Sequence, residues 1–154
     1  MTLEAALDLA AKGFHVFALT EGSKEPLKGS RGLHDATRDA EALATAWGAH
    51  PRANVGIATG HDGLVVLDVD VKDGAPGLES LRRLCKRTGL DLDAVPMVDT
   101  PSGGLHLYFR DRRLAGLRNS VSKLAPGIDV RAAGGYVVAP PSRIGGRRYA
   151  WRAR

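Results

Sequence analysis

The stretch Gly63-Leu64-Val65-Val66-Leu67-Asp68-Val69-Asp70 decides the fold. Its apolar residues follow the turn signal His61-Asp62-Gly63 and predict a buried strand. Because side chains alternate across a strand, Asp68 and Asp70 are expected on the same face, about 6–7 Å apart. Two carboxylates this close repel each other, and a divalent cation with a preference for oxygen ligands, Mg²⁺ or Mn²⁺, relieves the repulsion. The alternative is that both aspartates begin a solvated loop.

Composition limits the classes of protein to consider. The chain has 154 residues, of which 44% are hydrophobic and 25% are charged, and this is typical of one ordinary soluble domain. No apolar run approaches the length of about 18 residues that a membrane span needs, and no secretory signal begins the chain, so no membrane partner is expected. The single cysteine, Cys85, excludes an intrachain disulfide and a multi-cysteine zinc site, which favours a cytoplasmic location.

Charge is divided unequally along the chain. Residues 1–109 hold 11 Lys and Arg against 15 Asp and Glu, whereas residues 110–154 hold 11 against 2, and ten of these eleven are arginines. This asymmetry predicts a polyanionic partner for the C-terminal third, with a solvated basic face as the alternative. Residues 110–125 are predicted to form a loop or short helix on the nucleic-acid side.

Periodicity and turn residues predict mixed helices and strands in the first part of the chain. The predicted elements are a helix from Thr2 that stops at Gly13, a strand Phe14–Leu19, a polar loop Thr20–Gly32, a helix Asp39–Gly48, a strand Val55–Ala58 and a helix Gly77–Arg87. Lys24 and Lys28 belong either to a basic arm that reaches a phosphate or to a mobile surface loop. So few residues separate Val55–Ala58 from the aspartate strand that we expect these two strands to pair as an antiparallel hairpin.

The stretch Thr100–Phe109 combines a glycine turn with a strand. Gly103 and Gly104 can turn successive amides toward an anion, and Ser102 adds a hydroxyl group. The strand that follows places His106 on its polar face, within reach of a phosphate. A plain Gly-Gly hairpin turn with a structural histidine is the alternative.

Short strands joined by glycine turns are predicted for the end of the chain. Ile128–Arg131 is expected to be a strand with Asp129 and Arg131 on its polar face. A double glycine is expected to turn this strand back into Tyr136–Ala139 as a hairpin, and Arg147–Trp151 to form a last strand.

Three carboxylates, a phosphate cradle and a basic groove are the apparatus of nucleotidyl transfer. In that chemistry one divalent ion lowers the pKa of an attacking 3′-hydroxyl, and a second binds the triphosphate and the leaving pyrophosphate. The hypothesis requires Asp68, Asp70 and Asp129 to converge on one sheet face with His106 nearby.

Five stretches of the sequence also follow one another in the order of a known family. They are Lys24–Thr37, Asn54–Gly60 with Leu67–Asp70, Ser102–Tyr108, Gly127–Arg131 and Gly134–Ser142. On these motifs, nearly the whole chain resembles the bifunctional primase–polymerase (prim-pol) domains of the archaeo-eukaryotic primase superfamily, which are known mainly from plasmid, phage and prophage replication proteins.

The resemblance implies an α+β fold, in which an RRM-like antiparallel sheet carries the active site and an N-terminal αβ unit packs beside it. It implies a DNA primase and DNA polymerase that acts on nucleoside triphosphates and a single-stranded or primed DNA template. The implied catalytic and metal-binding residues, with Mg²⁺ or Mn²⁺, are Asp68, Asp70 and Asp129. The implied nucleotide-binding residues are Lys24, Lys28, Ser102, Gly103, Gly104, His106 and Arg131.

Some features of such relatives differ from this chain. Some family members carry a zinc-binding insertion, for which this sequence has no Cys and His cluster. Relatives commonly continue into a helical accessory region and a helicase, so residues 1–154 are expected to be the catalytic domain of a longer replication protein. Two other functions stay open: a metal-dependent nuclease or phosphodiesterase, and a catalytically inactive RRM-like nucleic-acid-binding domain.

Overall fold

A computed structural model describes residues 2–153, which form an α+β fold with three α-helices and antiparallel sheets. The helices are α1 (Thr2–Ala11), α2 (Ala40–Ala49) and α3 (Gly77–Thr88). The strands are β1 (His15–Leu19), β2 (Asn54–Ala58), β3 (Leu64–Val69), β4 (Met97–Asp99), β5 (Leu105–Arg110), β6 (Ser120–Ala125), β7 (Ile128–Arg131), β8 (Tyr136–Ala139), β9 (Arg143–Ile144), β10 (Arg147–Arg148) and β11 (Ala150–Trp151). Over this range, none of the helices combines the length and apolar character needed to cross a bilayer.

The strands are divided between a large sheet and two small ones. Six strands pair in the order β11-β4-β5-β3-β7-β6, three pair in the order β1-β2-β8, and β9 pairs with β10. Side chains of β3 alternate between two hydrophobic clusters: Val66 packs with α1, α2 and the three-stranded sheet, whereas Leu67 packs with α3. Asp68 shares the face of Val66, so it points away from α3 and toward the three-stranded sheet.

Local sequence signals account for the helices. Asp39 caps α2, because its side chain accepts a hydrogen bond from the Glu41 amide at 3.2 Å. Leu43 and Trp47, one turn apart, bury the same face of that helix. The predicted helices and the strands near residues 14–19, 55–58 and 63–70 are confirmed to within two residues at most ends.

The predicted hairpin of β2 with β3 is wrong. β2 pairs with β1 and β8, whereas β3 pairs with β5 and β7, so the chain changes sheets between them. Gly60, Asp62 and Gly63 all have positive φ, of 93°, 53° and 71°, and together they turn the chain out of one sheet and into the other.

The predicted hairpin of β7 with β8 is wrong for a related reason. The chain returns from the six-stranded to the three-stranded sheet between these strands, directly beside the first crossing. The Thr59 hydroxyl donates a hydrogen bond of 2.6 Å to the Ala132 carbonyl, and a Cβ on Gly60 would lie 2.5 Å from Ala133 Cα. The two crossings therefore support each other, and neither leaves room for a local hairpin.

Two further predictions near the C-terminus need correction. Residues 110–125 form a single 3₁₀ turn at Arg112–Leu114 and then the edge strand β6, whose mostly exposed side chains give no apolar alternation to detect. The predicted last strand Arg147–Trp151 is divided, because β10 pairs with β9 while β11 pairs with β4.

Candidate active site

Polar side chains from three neighbouring strands meet at the centre of the six-stranded sheet. Asp68 on β3 lies directly opposite His106 on β5 and directly opposite Asp129 on β7. Residues that face each other across antiparallel strands share one side of the sheet, so all three point toward the three-stranded sheet. His106 Nε2 lies 3.5 Å from Asp68 Oδ1, and the imidazole is buried.

The guanidinium of Arg131 bridges the two carboxylates. Its Nη2 lies 3.4 Å from Asp68 Oδ2 and 3.3 Å from Asp129 Oδ2. Burial raises the pKa of Asp68, but the hydrogen bond and charge of His106, together with the charge of Arg131, outweigh burial and hold this pKa below its usual value. Asp68 is therefore ionised at neutral pH.

Asp129 is also fixed by an irregularity of the edge strand. The amide of Ser122 donates to Asp129 Oδ1 at 3.0 Å, and the Ser122 hydroxyl accepts from the Gly127 amide at 3.2 Å. Ser122 has a φ of 51°, within a register shift between β6 and β7 that turns its amide toward the carboxylate. No pattern in the sequence marks this serine.

Asp70 lies one residue beyond β3 and is exposed. Its carboxylate accepts a hydrogen bond of 2.8 Å from the Lys72 amide. Its main chain is fixed from two sides, because its amide donates to Gly127 O at 2.8 Å and its carbonyl accepts from the Gly77 amide at 3.0 Å. Among the described residues, those that line the cavity around Asp68 and Arg131 do not include Asp70.

The fit of a divalent cation can be judged from these donors. Among the residues that the structure describes, no group of three His, Cys, Asp or Glu side chains is arranged to hold a metal ion. Asp68 and Asp129 nevertheless supply the hard oxygen ligands that Mg²⁺ and Mn²⁺ take, and the Arg131 guanidinium already occupies the position of a cation between them. The pair fits a divalent cation as two of its ligands.

A cavity of about 290 Å³ opens over this face. Asp68, His106 and Arg131 line it on the side of the six-stranded sheet, and Tyr136 of β8 lines it on the other side. Lys24 also lines the cavity, and the Tyr136 hydroxyl donates to the Lys24 carbonyl at 3.1 Å. The structure thus places Lys24 in the lining of the cavity that Asp68 and Arg131 also line.

Lys28, from the same loop, lines a different cavity beside His50 and Arg52. The structure does not bring it to the carboxylates.

The glycine turn closes the hairpin of β4 and β5 beside the end of β3. The Gly103 amide donates to the Thr100 carbonyl at 2.9 Å, and the Ser102 hydroxyl lies 3.2 Å from the Thr100 hydroxyl. Gly104 packs so closely on the Val69 carbonyl that a Cβ has no room. Ser102, Gly103 and Gly104 are not among the residues that line the cavity.

Comparison with known proteins assigns a family to this arrangement. The sequence model of the family described as bifunctional DNA primase/polymerase, N-terminal, matches residues 6–154. The chain belongs to this prim-pol family. The family description associates the chain with DNA primase and polymerase activity, which is nucleotidyltransferase chemistry. None of the curated proteins compared with the chain matches it.

Two residues that line this cavity were not identified from the sequence. The buried ring of Tyr149 lies 5.7 Å from the ring of His106 and lines the cavity. Burial and the charge of Asp68 raise the pKa of Tyr149 to about 12, so its hydroxyl is neutral. Asn119, also in the cavity lining, accepts from the Ala132 amide at 2.7 Å and so shapes the crossing beside the site. No local pattern in the sequence marks either Tyr149 or Asn119 as a residue of this cavity.

Proposed function

We propose that the chain catalyses template-directed nucleotidyl transfer, as a DNA primase and DNA polymerase in plasmid, phage or prophage replication. One observation carries the proposal: Asp68 and Asp129 face each other across paired strands with the Arg131 guanidinium between them, and Asp68 and Arg131 line an open cavity. Lys24 and Arg131 give the same cavity positive charge suited to a triphosphate. The proposed partners are nucleoside triphosphates and a single-stranded or primed DNA template.

Asp68 and Asp129 would hold Mg²⁺ or Mn²⁺, with Asp70 as the third carboxylate. Bound there, divalent cations would supply the charge that activates a primer 3′-hydroxyl and stabilises the leaving pyrophosphate. With its place between the carboxylates taken, Arg131 would be free to contact the phosphates, together with Lys24 of the same cavity. His106, whose Nε2 lies 3.5 Å from Asp68 Oδ1, would help to orient Asp68.

We also propose that the sheet carrying the site is RRM-like. Its four central strands follow the order β4-β5-β3-β7, and α3 lies between β3 and β4 in the chain and packs on the face opposite the site. A four-stranded antiparallel sheet of this kind is the framework of RRM domains. The helices α1 and α2 with β1, β2 and β8 form the αβ unit beside it.

Product analysis on a primed DNA template tests the proposal against both other functions. With Mn²⁺ and deoxynucleotides, we expect the primer to lengthen to the end of the template. A nuclease would shorten the primer without needing nucleotides, and a binding domain would leave it unchanged. Either of these results would refute the proposal.

A substitution at the carboxylate pair separates chemistry from binding. Asp68→Asn should abolish extension and leave DNA affinity intact or raised, because it removes negative charge that faces a polyanion. Asp93→Asn is the matched control, since Asp93 is an exposed aspartate in the 3₁₀ turn at Leu92–Ala94 and makes no contact with the site. Extension that survives Asp68→Asn while still requiring metal would contradict the assignment.

A further inference from the structure

A second basic surface lies outside the carboxylate site, on the hairpin of β9 and β10. Arg143 and Arg148 are directly opposite each other in this hairpin, which turns through Gly145 and Gly146. Both arginines line a groove of about 600 Å³ whose far wall includes Arg52. We call this feature the hairpin groove.

The hairpin groove holds positive charge that the protein itself does not neutralise. Arg52 pairs with Glu21 at 3.1 Å. In the part of the chain that the structure describes, neither Arg143 nor Arg148 has a carboxylate partner within 4.0 Å, and both are exposed. Like charges directly opposite on paired strands repel each other, so an anion bound between them would stabilise the hairpin.

The base of the hairpin is rigidly held, which prepares the groove for binding. The buried Asn54 side chain donates to the Arg143 carbonyl at 2.9 Å and accepts from the Arg143 amide at 3.1 Å. The Ser142 hydroxyl accepts from the Val55 amide at 2.7 Å, and Tyr149 N donates to the Ser142 carbonyl at 2.9 Å. At the base of the hairpin, little conformational freedom of the main chain is therefore left to lose on binding.

The same hairpin adjoins the carboxylate site. Tyr149, the residue after β10, contacts His106 in the cavity. Arg147 donates to the Pro101 carbonyl at 3.4 Å, in the glycine turn between β4 and β5. Because Arg147 and Arg148 are neighbours on β10, their side chains leave opposite faces of the hairpin, so the groove lined by Arg148 opens away from the glycine turn that Arg147 contacts.

The lining of the groove indicates which part of a nucleic acid it binds. None of its lining residues is aromatic, so no base can stack there, and the two glycines at the hairpin tip let a backbone approach closely. We infer that the hairpin groove binds the phosphodiester backbone of single-stranded DNA without sequence preference. This inference rests on the proposed function for its partner.

The salt dependence of binding to a labelled oligothymidylate tests the inference. Each phosphate contact contributes about −0.7 to the slope of log affinity against log salt for single strands, so Arg143→Gln with Arg148→Gln should reduce the slope by about 1.4. The ratio of the wild-type affinity to the affinity of this double variant should then fall about sevenfold between about 50 and 200 mM salt. Lys86→Gln with Arg87→Gln is the control, because it removes the same charge from the exposed face of α3, behind the sheet.

The outcomes separate this inference from the proposed function. If the slope of log affinity against log salt falls below the wild-type value only in the hairpin variant, the inference is supported. If the two double variants have equal slopes, the inference is overturned. If the wild-type protein fails to extend primers but the hairpin variant still loses slope, the proposed function fails and the groove stands. Binding that depends on base sequence at constant salt would also overturn the inference, because backbone contacts carry no sequence information.

Discussion

Replacing Arg131 with methionine leaves two facing carboxylates without the cation that bridges them. The side chains of Arg131, Asp68 and Asp129 are 34%, 27% and 21% exposed, between the surface and fully buried cases. Surface ion pairs contribute about 0–1 kcal/mol, and breaking fully buried pairs costs about 3–5 kcal/mol. Without metal we therefore expect Arg131→Met to lower the free energy of unfolding by about 1–3 kcal/mol.

Metal should reverse this loss, because the Arg131 guanidinium and a divalent cation compete for the same carboxylates. If saturating Mn²⁺ abolishes a difference of about 2 kcal/mol, the variant must bind Mn²⁺ about 30-fold more tightly than the wild-type protein. Urea unfolding in EDTA and in Mn²⁺, followed by fluorescence of the buried Trp47, measures both quantities.

Arg87→Met serves as the control on α3 and should change stability by less than about 0.5 kcal/mol. The account of the bridge is refuted if Arg131→Met matches the wild-type protein in EDTA, or if Mn²⁺ stabilises both proteins equally.

Three smaller predictions follow from the surroundings of single residues. The pKa of Asp68 is lowered in the folded state, so its carboxylate stabilises the protein above the unfolded pKa of about 4, and this stabilisation is lost as pH falls through the folded pKa. The urea midpoint of Asp68→Asn should therefore fall less steeply with acid than that of the wild-type protein. Parallel curves for the two proteins would contradict this. Hydrogen bonds from the side chain of Arg113, and to a lesser extent from its amide, lower the pKa of Asp111 to about 2. In Arg113→Gln, NMR titration of the carboxyl group should find this pKa nearer 4. An unchanged pKa would refute the pairing. In Gly56→Ala the new Cβ would lie 2.8 Å from carbons of the Phe17 ring, so the free energy of unfolding in urea should fall by about 1–3 kcal/mol. A variant as stable as the wild-type protein would show that the ring moves aside at no cost.

Features set by neighbouring residues were predictable from the sequence. Side-chain alternation is a local property of a strand, so it assigns His106 and Asp129 to the polar faces of their strands without any knowledge of pairing. Helix caps and glycine stops are equally local, which is why Asp39 marks the start of α2.

Features set by long-range contacts were not predictable in this way. The paired crossings between sheets depend on Thr59 meeting Ala132, 73 positions away, and local turn rules favoured hairpins instead. The same limit applies to Ser122, whose amide holds Asp129 only because β6 departs from regular register. Tyr149 reaches His106 through a change of strand partners that no local pattern encodes.

Asp70 shows how a correct strand can still leave a side chain unassigned. The strand ends at Val69, and Asp70 belongs to the turn that binds the Lys72 amide. The role of Asp70 as the third carboxylate stays a prediction. It requires that the Asp70 carboxylate give up its hydrogen bond from the Lys72 amide and bind the metal ion instead.

The rate of single-nucleotide addition by Asp129→Asn tests the central claim most directly. The measurement uses saturating primed template, deoxynucleotide and Mn²⁺, so that weaker binding of either substrate does not lower the rate. Asp129 lies opposite Asp68, and both carboxylates contact the Arg131 guanidinium at the place proposed for the divalent cation. We therefore predict a rate at least about 100-fold below that of the wild-type protein, with template affinity retained. A rate within a few-fold of wild type would show that the pair formed by Asp68 and Asp129 does not carry the chemistry.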